Sequence, residues 1–392
     1  MIRFILLGIF LGLFVPCQEL FASNLGIFIA GTPAKDAPCR HRTQSVVLMG
    51  GGPDVRAAYT WLNQKAQVCG DKHPGKALNL AGNLVVLRSV GDGSYDKTIL
   101  ELGNFASVQT LVVPDRAAAN DPAIESHIKN ASVIWIAGGD QSIYYQAWKG
   151  SRLLTFIKNR IRDDHVPFGG SSAGMMILGN FIHVGDPSHI LMSAEALENP
   201  YNPHMVLEKD FWGNAKNSSS NAPISVFSKT ITDSHFENRD RMGRAIAFMA
   251  RDLANRWISP YPVKFGPHQY EHAIAVDQQT ALLIEQKAPD QSFQAAILTN
   301  PNKTGSAYFL KTLNNPYCDK SGELLDKKCD GSFTLKATQV DKLKASASIS
   351  LDLFNLSTWQ PTANAKPNNY IRYSVDISNG KTSVTGNAGN LY

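Results

Sequence analysis

Val166-Pro167-Phe168-Gly169-Gly170-Ser171-Ser172-Ala173-Gly174-Met175-Met176-Ile177-Leu178 passes from a short apolar run, through small residues, into a second apolar run with the composition of a buried helix. That is strand, turn, helix. Within it, Gly170-Ser171-Ser172-Ala173-Gly174 has the form G-x-S-x-G, in which small neighbours permit a sharp turn and hold the central serine in a strained, exposed conformation. Ser172 is therefore a candidate nucleophile. The backbone N–H of Ala173, at the start of the following helix, is a candidate oxyanion donor.

Upstream, β-branched runs alternate with helical ones. Val46-Val47-Leu48-Met49, Leu84-Val85-Val86-Leu87, Leu111-Val112-Val113 and Val133-Ile134-Trp135-Ile136 read as strands. Gly50-Gly51-Gly52-Pro53 reads as a tight loop, with Asp54 capping a helix that carries Val55, Ala58, Trp61 and Leu62. Asp121-Pro122 is a helix start, and residues 152–161 have helical composition. Continuous apolar strands separated by helices predict an α/β fold with a mostly parallel sheet covered on both faces, and a site at the strands' carboxyl ends. A second such end carries Ala137-Gly138-Gly139-Asp140-Gln141. Adjacent glycines let backbone approach a ligand and leave N–H groups free to donate, so Gly138 or Gly139 is the expected second oxyanion donor, with Gln141 reaching the substrate.

Downstream, Asp233-Ser234-His235-Phe236 follows an expected strand at 226–232 and precedes a helical stretch at 242–249. His235 is the expected general base for Ser172, because neutral imidazole takes and returns a proton near neutral pH. Arg239, Arg241 and Arg244 suit planar, bidentate carboxylate binding. A solvated or ion-paired role fits Arg239 better than Arg244. His183, His189 and His204 read as surface or loop residues.

Met1-Ile2-Arg3 and the apolar run Phe4 to Val15 have the form of a secretory signal peptide, expected at 1–23, and the run is short for a membrane span. An exported, secreted or periplasmic protein without stable membrane insertion is expected. Beyond Cys17, four cysteines remain; nearness in sequence favours Cys39–Cys69 and Cys318–Cys329 bridges, with other pairings open. No cysteine pair has zinc-site spacing, so no metal is expected. A net charge of +5 over 392 residues is mild, and no basic run with interleaved aromatics supports nucleic-acid binding. After about residue 290 the pattern becomes short alternating segments, including 295–298, 307–310, 348–353 and 370–377, which predicts a β-rich region packed on or appended to the 24–290 domain. No chemistry is visible there; covering a sheet edge is the expected role, and gripping a polymer the alternative.

With these pieces in order, the chain resembles the cyanophycinase family of serine peptidases, which includes the aspartyl dipeptidase peptidase E. The resemblance rests on Gly138-Gly139-Asp140-Gln141, Gly170-Ser171-Ser172-Ala173-Gly174, Asp233-Ser234-His235-Phe236 with the three arginines, and Asp277-Gln278-Gln279-Thr280-Ala281-Leu282. It covers roughly residues 45–285. It implies a flavodoxin-like three-layer α/β/α sandwich akin to class I glutamine amidotransferases, and a serine exopeptidase without cofactor. Ser172 would be the nucleophile, His235 the base, and the N–H groups of Ala173 and Gly139 the oxyanion hole. Gln141, Asp233, Arg239, Arg241 and Arg244 would line the substrate pocket. The implied substrate is cyanophycin, an aspartate backbone with arginine on each side-chain carboxyl, cut to β-linked aspartyl-arginine; an aspartyl or isoaspartyl peptide is the alternative, and a homodimer partner is expected. One departure is chemical: the family's glutamate that orients the histidine is replaced by Gln278. That leaves Gln278 itself, another acid such as Asp277 or Glu271, or a protein that binds without cutting.

Overall fold

The computed structural model describes residues 23–34, 40–67, 82–213, 222–258, 270–289, 292–350 and 352–392. The expected signal peptide, apart from its last residue, and Cys17, Cys39 and Cys69 lie outside them. Six strands open the fold: β1 (Gly26–Gly31), β2 (Ser45–Met49), β3 (Asn83–Arg88), β4 (Ser107–Val112), β5 (Val133–Ile136) and β6 (Phe168–Ser171). They occupy one ten-stranded sheet in the order β1-β4-β3-β5-β6-β2, with β4, β3, β5, β6 and β2 parallel. Beyond β2 the sheet continues antiparallel through Thr280–Gln286, Phe293–Thr299, Phe354–Asn355 and Gln360–Pro361, and β1 closes the other edge antiparallel to β4. The expected mostly parallel sheet is thereby corrected to a mixed one. The link at 287–292 is too short for the crossover that a parallel pair requires, so the strands it joins return as a hairpin.

Pleating sends alternate side chains to opposite faces. Val47, Met49, Leu84, Val86, Val133 and Trp135 pack with helices Arg56–Ala66 and Asp96–Gly103 through Ala58, Leu62 and Ile99. Val46, Leu48, Val85, Leu87, Ile134 and Ile136 enter a second core with helices Gln141–Trp148 and Arg152–Arg162, through Tyr144, Trp148, Leu153 and Ile157. Burial on both faces is why these strands read as unbroken apolar runs.

A seven-stranded sheet lies beside this core. Its main order is Lys381–Thr385, Tyr370–Ser378, Phe333–Lys344, Ser306–Lys311, His272–Val276 and Thr230–Asp233, with Tyr317–Cys318 also pairing Phe333–Lys344. Ile274, Val276, Ala307 and Phe309 join the second core; Ala273, Ala275, Tyr308 and Leu310 face away from it onto helix Met242–Ala254. The β-rich C-terminal region is therefore woven into both sheets rather than set apart. Phe293–Thr299 extends the first, and Ser306–Lys311 pairs with His272–Val276. In Phe333–Lys344 the register shifts between Leu335 and Thr338, where Ala337 has φ 56°. This bulge breaks the alternation, so the sequence shows only short segments where one long strand forms. The expected strand at 348–353 is absent from the described residues there, and Ile349 is exposed. Cys318 and Cys329 form a disulfide across the 317–331 loop. Among the described residues, no helix is long and apolar enough to cross a membrane.

Candidate active site

β6 ends at Ser171 and the chain turns at Ser172, with φ 52° and ψ −119°. Such a backbone is strained for any residue with a side chain and persists only where its surroundings hold it. Here they do. Ser172 N–H donates to Met49 O at 3.0 Å, and a Cβ on Gly174 would lie 2.1 Å from Ile136 O. The helix that follows is a single turn, Ala173–Met176, shorter than the sequence predicts. The Thr232 hydroxyl donates to Met175 O and Met176 O, and Trp212 Nε1–H to Ile177 O, so tertiary donors take the carbonyls that a longer helix would use. A turn this short contributes its local N–H groups rather than a helix dipole.

His235 follows the strand Thr230–Asp233 at φ 48°, and its N–H donates to Gly50 O at 2.8 Å. Its Nε2 lies 2.8 Å from Ser172 Oγ. On the other side of the ring, Gln278 Nε2 lies 2.8 Å from Nδ1. Neither alternative acid hydrogen-bonds the histidine. The Asp277 carboxylate accepts from the N–H groups of Glu237 and Ser306, both at 2.8 Å, and from the Tyr308 hydroxyl at 3.3 Å. Glu271 is buried beside Asp252. With the Gln278 amide nitrogen donating to Nδ1, the imidazole proton sits on Nε2, the wrong nitrogen for accepting the serine proton. A half-turn of the carboxamide brings Oε1 to Nδ1 and reverses that tautomer. Burial, aided by the Arg239 and Arg241 charges, pushes His235 down to about 4, so the ring is neutral near neutral pH.

The predicted arginines separate. Arg244 grips Asp233 with two bonds, Nε to Oδ2 at 2.9 Å and Nη2 to Oδ1 at 2.6 Å, and Arg241 Nη1 lies 3.2 Å from Oδ1. All three are almost wholly buried, so Asp233, Arg241 and Arg244 form an internal ion cluster behind the histidine rather than lining a substrate pocket. Arg239 is exposed. The solvated setting expected for Arg239 is found, whereas Arg244, expected to reach substrate, is the buried ion-paired one, because sequence displays charge but not burial. His183 is likewise buried rather than on the surface, its ring stacked on Phe248 at 4.7 Å. His189 and His204 pair with Glu195 and Asp186.

Of the glycine pair, Gly138 is beside the nucleophile: a Cβ on it would lie 3.4 Å from Ser172 Cβ and 4.0 Å from Oγ. Gly139 instead faces the Tyr144 hydroxyl and Ser89. The Tyr144 hydroxyl holds this loop by donating to Ala137 O at 2.8 Å. Gln141 lies against Gly185, where a Cβ would come 2.7 Å from its Nε2.

Sequence reasoning missed a third glycine. A Cβ on Gly51 would lie 2.5 Å from His235 Cε1 and Nε2 and 3.0 Å from Ser172 Cβ, at φ +93°. The signal was present in Gly50-Gly51-Gly52 at the carboxyl end of β2, since parallel strands deliver such loops to one edge. A cleft of about 330 Å³ opens in front of Ser172 and His235, walled by Gly138, Arg88, Asp54 and Asp96. Asp54 accepts from the Tyr59 hydroxyl at 2.9 Å, and Arg88 donates to Asp92 O at 2.9 Å. Asp96 is buried; Oδ1 accepts from the Thr110 hydroxyl at 2.5 Å while Oδ2 has no partner among the described residues, and burial raises its pKa. The cleft thus offers both a guanidinium and carboxyl groups. It can hold a ligand that carries both charges.

A partly exposed serine hydrogen-bonded to a buried histidine on a strained strand-to-helix elbow, in an α/β fold, is the arrangement of a nucleophilic hydrolase. Residues 100–222 match peptidase family S51. That match includes Gly138 and Ser172, with His235 and Gln278 beyond it. The chain is 23% identical over 196 residues to a cyanophycinase from Geminocystis herdmanii, covering 50% of this chain and 58% of that one. It is 22% identical over 193 residues to a cyanophycinase from a Nostoc species, covering 49% and 52%. It therefore spans about half the length of the curated relatives it matches. The crystal structure of a peptidase from an acI-B1 actinobacterium aligns at 15% identity and a TM-score of 0.43, over 69% of this chain and 91% of that one. These matches support assigning the chain to the cyanophycinase and peptidase E family.

Proposed function

We propose that this protein is a serine-type peptidase that cuts aspartyl peptide bonds of cyanophycin and releases β-linked aspartyl-arginine dipeptides. The observation that carries this reading is the 2.8 Å contact between Ser172 Oγ and His235 Nε2 on the strained elbow. Ser172 Oγ attacks the scissile carbonyl carbon and its proton passes to His235 Nε2. The N–H groups of Ala173 and the Gly138-Gly139 turn receive the oxyanion. His235 then protonates the leaving amine, and water resolves the acyl-enzyme by the same steps in reverse. Gln278 serves by turning Oε1 to Nδ1–H, which fixes the active tautomer but brings no charge to the imidazolium. In serine proteases with a Ser-His-Asp triad, changing the carboxylate at this place to an amide costs about 10⁴-fold in kcat, so a slow enzyme is expected. Arg88 and Arg239 are suited to substrate carboxylate, and Asp54 and Asp96 to its guanidinium.

The signal-like segment at 1–23 supports export to the periplasm or exterior. The strand order β4-β3-β5-β6 supports a flavodoxin-like centre, with β2 in the outer position. We read 24–290 as the hydrolytic part and the remainder as its structural extension. The test is incubation of the protein with cyanophycin beside Ser172→Ala, following dipeptide release. Release by the parent protein alone is expected; equal release by Ser172→Ala, or none by either, contradicts the reading. One observation favours a second reading, a protein that binds the polymer without cutting it: the Gln278 amide nitrogen faces Nδ1. Polymer retention without release would select it.

A further inference from the structure

A cavity of about 720 Å³, more than twice the volume of the cleft beside Ser172, opens at the other end of the strands that carry the histidine. Lys229 and His272 lie at the amino ends of Thr230–Asp233 and His272–Val276, which run parallel, whereas His235 and Asp277 follow their carboxyl ends. At the strand rise, the two sites lie about 15 Å apart along the sheet. Both sheets contribute to the cavity wall, and the turn at 356–360 of the C-terminal hairpin completes it. Lys311 stands opposite His272 in register, with Nζ 3.8 Å from the centre of the Tyr270 ring. Trp359 stacks on His272 at 3.8 Å and is 3% exposed.

Two features of this wall call for a ligand. The lining contains Lys229 and Lys311 but no aspartate or glutamate among the described residues. The nearby Asp341 carboxylate is already engaged by Arg372 Nε at 2.6 Å and by the Tyr370 hydroxyl, and Glu271, on which the Lys229 charge also acts, is buried with its pKa raised by burial and by Asp252. In addition, the buried Trp359 Nε1–H and His272 Nε2 have no hydrogen-bond partner among the described residues. Burial, with Arg372 nearby, lowers Lys311, and burial with the two lysines holds His272 at about 3, as expected in a positive, partly desolvated setting. A space of this size, with Val226, Phe293 and Leu356 as apolar wall, suits a chain-like organic anion better than an inorganic one.

We propose that this cavity is a second, non-catalytic site for a carboxylate-bearing peptide chain, with Lys229 and Lys311 pairing its carboxylates and the Trp359 indole N–H donating to one of their oxygens. Its source rests on the peptidase reading above: in an aspartate backbone with arginine on each side chain, every arginine leaves its own carboxylate free. A second contact of this kind would hold a polymer on the enzyme between cuts.

The experiment is calorimetric titration of the Ser172→Ala protein with tetra-aspartate, tetra-lysine and inorganic phosphate. Tetra-aspartate should bind, weaken with added salt, and weaken about tenfold on Lys311→Gln, more in Lys229→Gln/Lys311→Gln. Trp359→Phe keeps an aromatic ring without the donor and should also weaken it; melting temperatures check that each variant is folded. Absent tetra-aspartate binding, binding unchanged in the folded double variant, or a preference for phosphate or tetra-lysine would each overturn the site. Failure of the peptidase reading is seen separately, in dipeptide release and in labelling of Ser172.

Discussion

His235 carries the central compromise at the scale of residues. Its surroundings keep it neutral, which suits a base, and leave its cationic form poorly supported, which slows any reaction passing through that form. Because the base must be unprotonated and its pKa is pushed down to about 4, kcat/KM should stay level from neutral pH downward and fall only as pH passes through about 4. Gln278→Glu restores a negative charge to Nδ1. It should raise kcat by up to about 10⁴-fold and move the acid limb to higher pH, both read from the same pH–rate series. An unchanged profile would mean that Gln278 does not orient the histidine. Gly51→Ala forces a carbon against the imidazole at a backbone angle that favours glycine, so activity should fall by more than about 10²-fold and stability by about 1 kcal/mol or more. Serine and histidine were legible because each sits in a short local pattern. Arg88 and Asp96 were not, because strands distant in sequence bring them to the cleft; Gly51 was marked only by its glycine run at a strand end.

At the scale of elements, the buried Asp233–Arg244–Arg241 cluster fastens the strand before His235 to helix Met242–Ala254. Removing one partner leaves a buried charge uncompensated. Arg244→Ala should therefore cost about 3–5 kcal/mol of stability, measured by urea unfolding, whereas a substrate-binding arginine would raise KM with stability intact. Sequence placed these charges correctly beside the histidine but could not show that they face one another. The parallel centre of the first sheet was legible from its unbroken apolar strands. The long strand Phe333–Lys344 was not, since its bulge resets the alternation midway.

The whole molecule carries buried titratable groups of opposite sign. His183 and His272 are held at about 3 and His235 at about 4, so each folds as the neutral ring. The unfolded chain then binds more protons than the folded one below about pH 6.5, and stability present above that value is lost as pH falls towards these depressed pKa values. The buried Asp252 and Glu271 are raised by burial and act oppositely: their contribution is full below the ordinary carboxylate range and is lost as pH rises through the raised values. Urea midpoints should thus decline from neutral pH into acid, and His272→Gln should reduce that decline. A pH dependence that His272→Gln leaves unchanged would contradict the neutral assignment of that ring. The Cys318–Cys329 staple was legible in sequence; the weaving of the C-terminal region into both sheets was not, because register between distant strands leaves no local mark.

The most direct measurement is mass-spectrometric mapping of a fluorophosphonate adduct on the folded protein, beside its Ser172→Ala and His235→Ala variants. A single adduct on Ser172, lost in both variants, is the expected result. An unlabelled Ser172 in the folded parent, or labelling that survives His235→Ala at the same rate, would contradict a histidine-activated nucleophile.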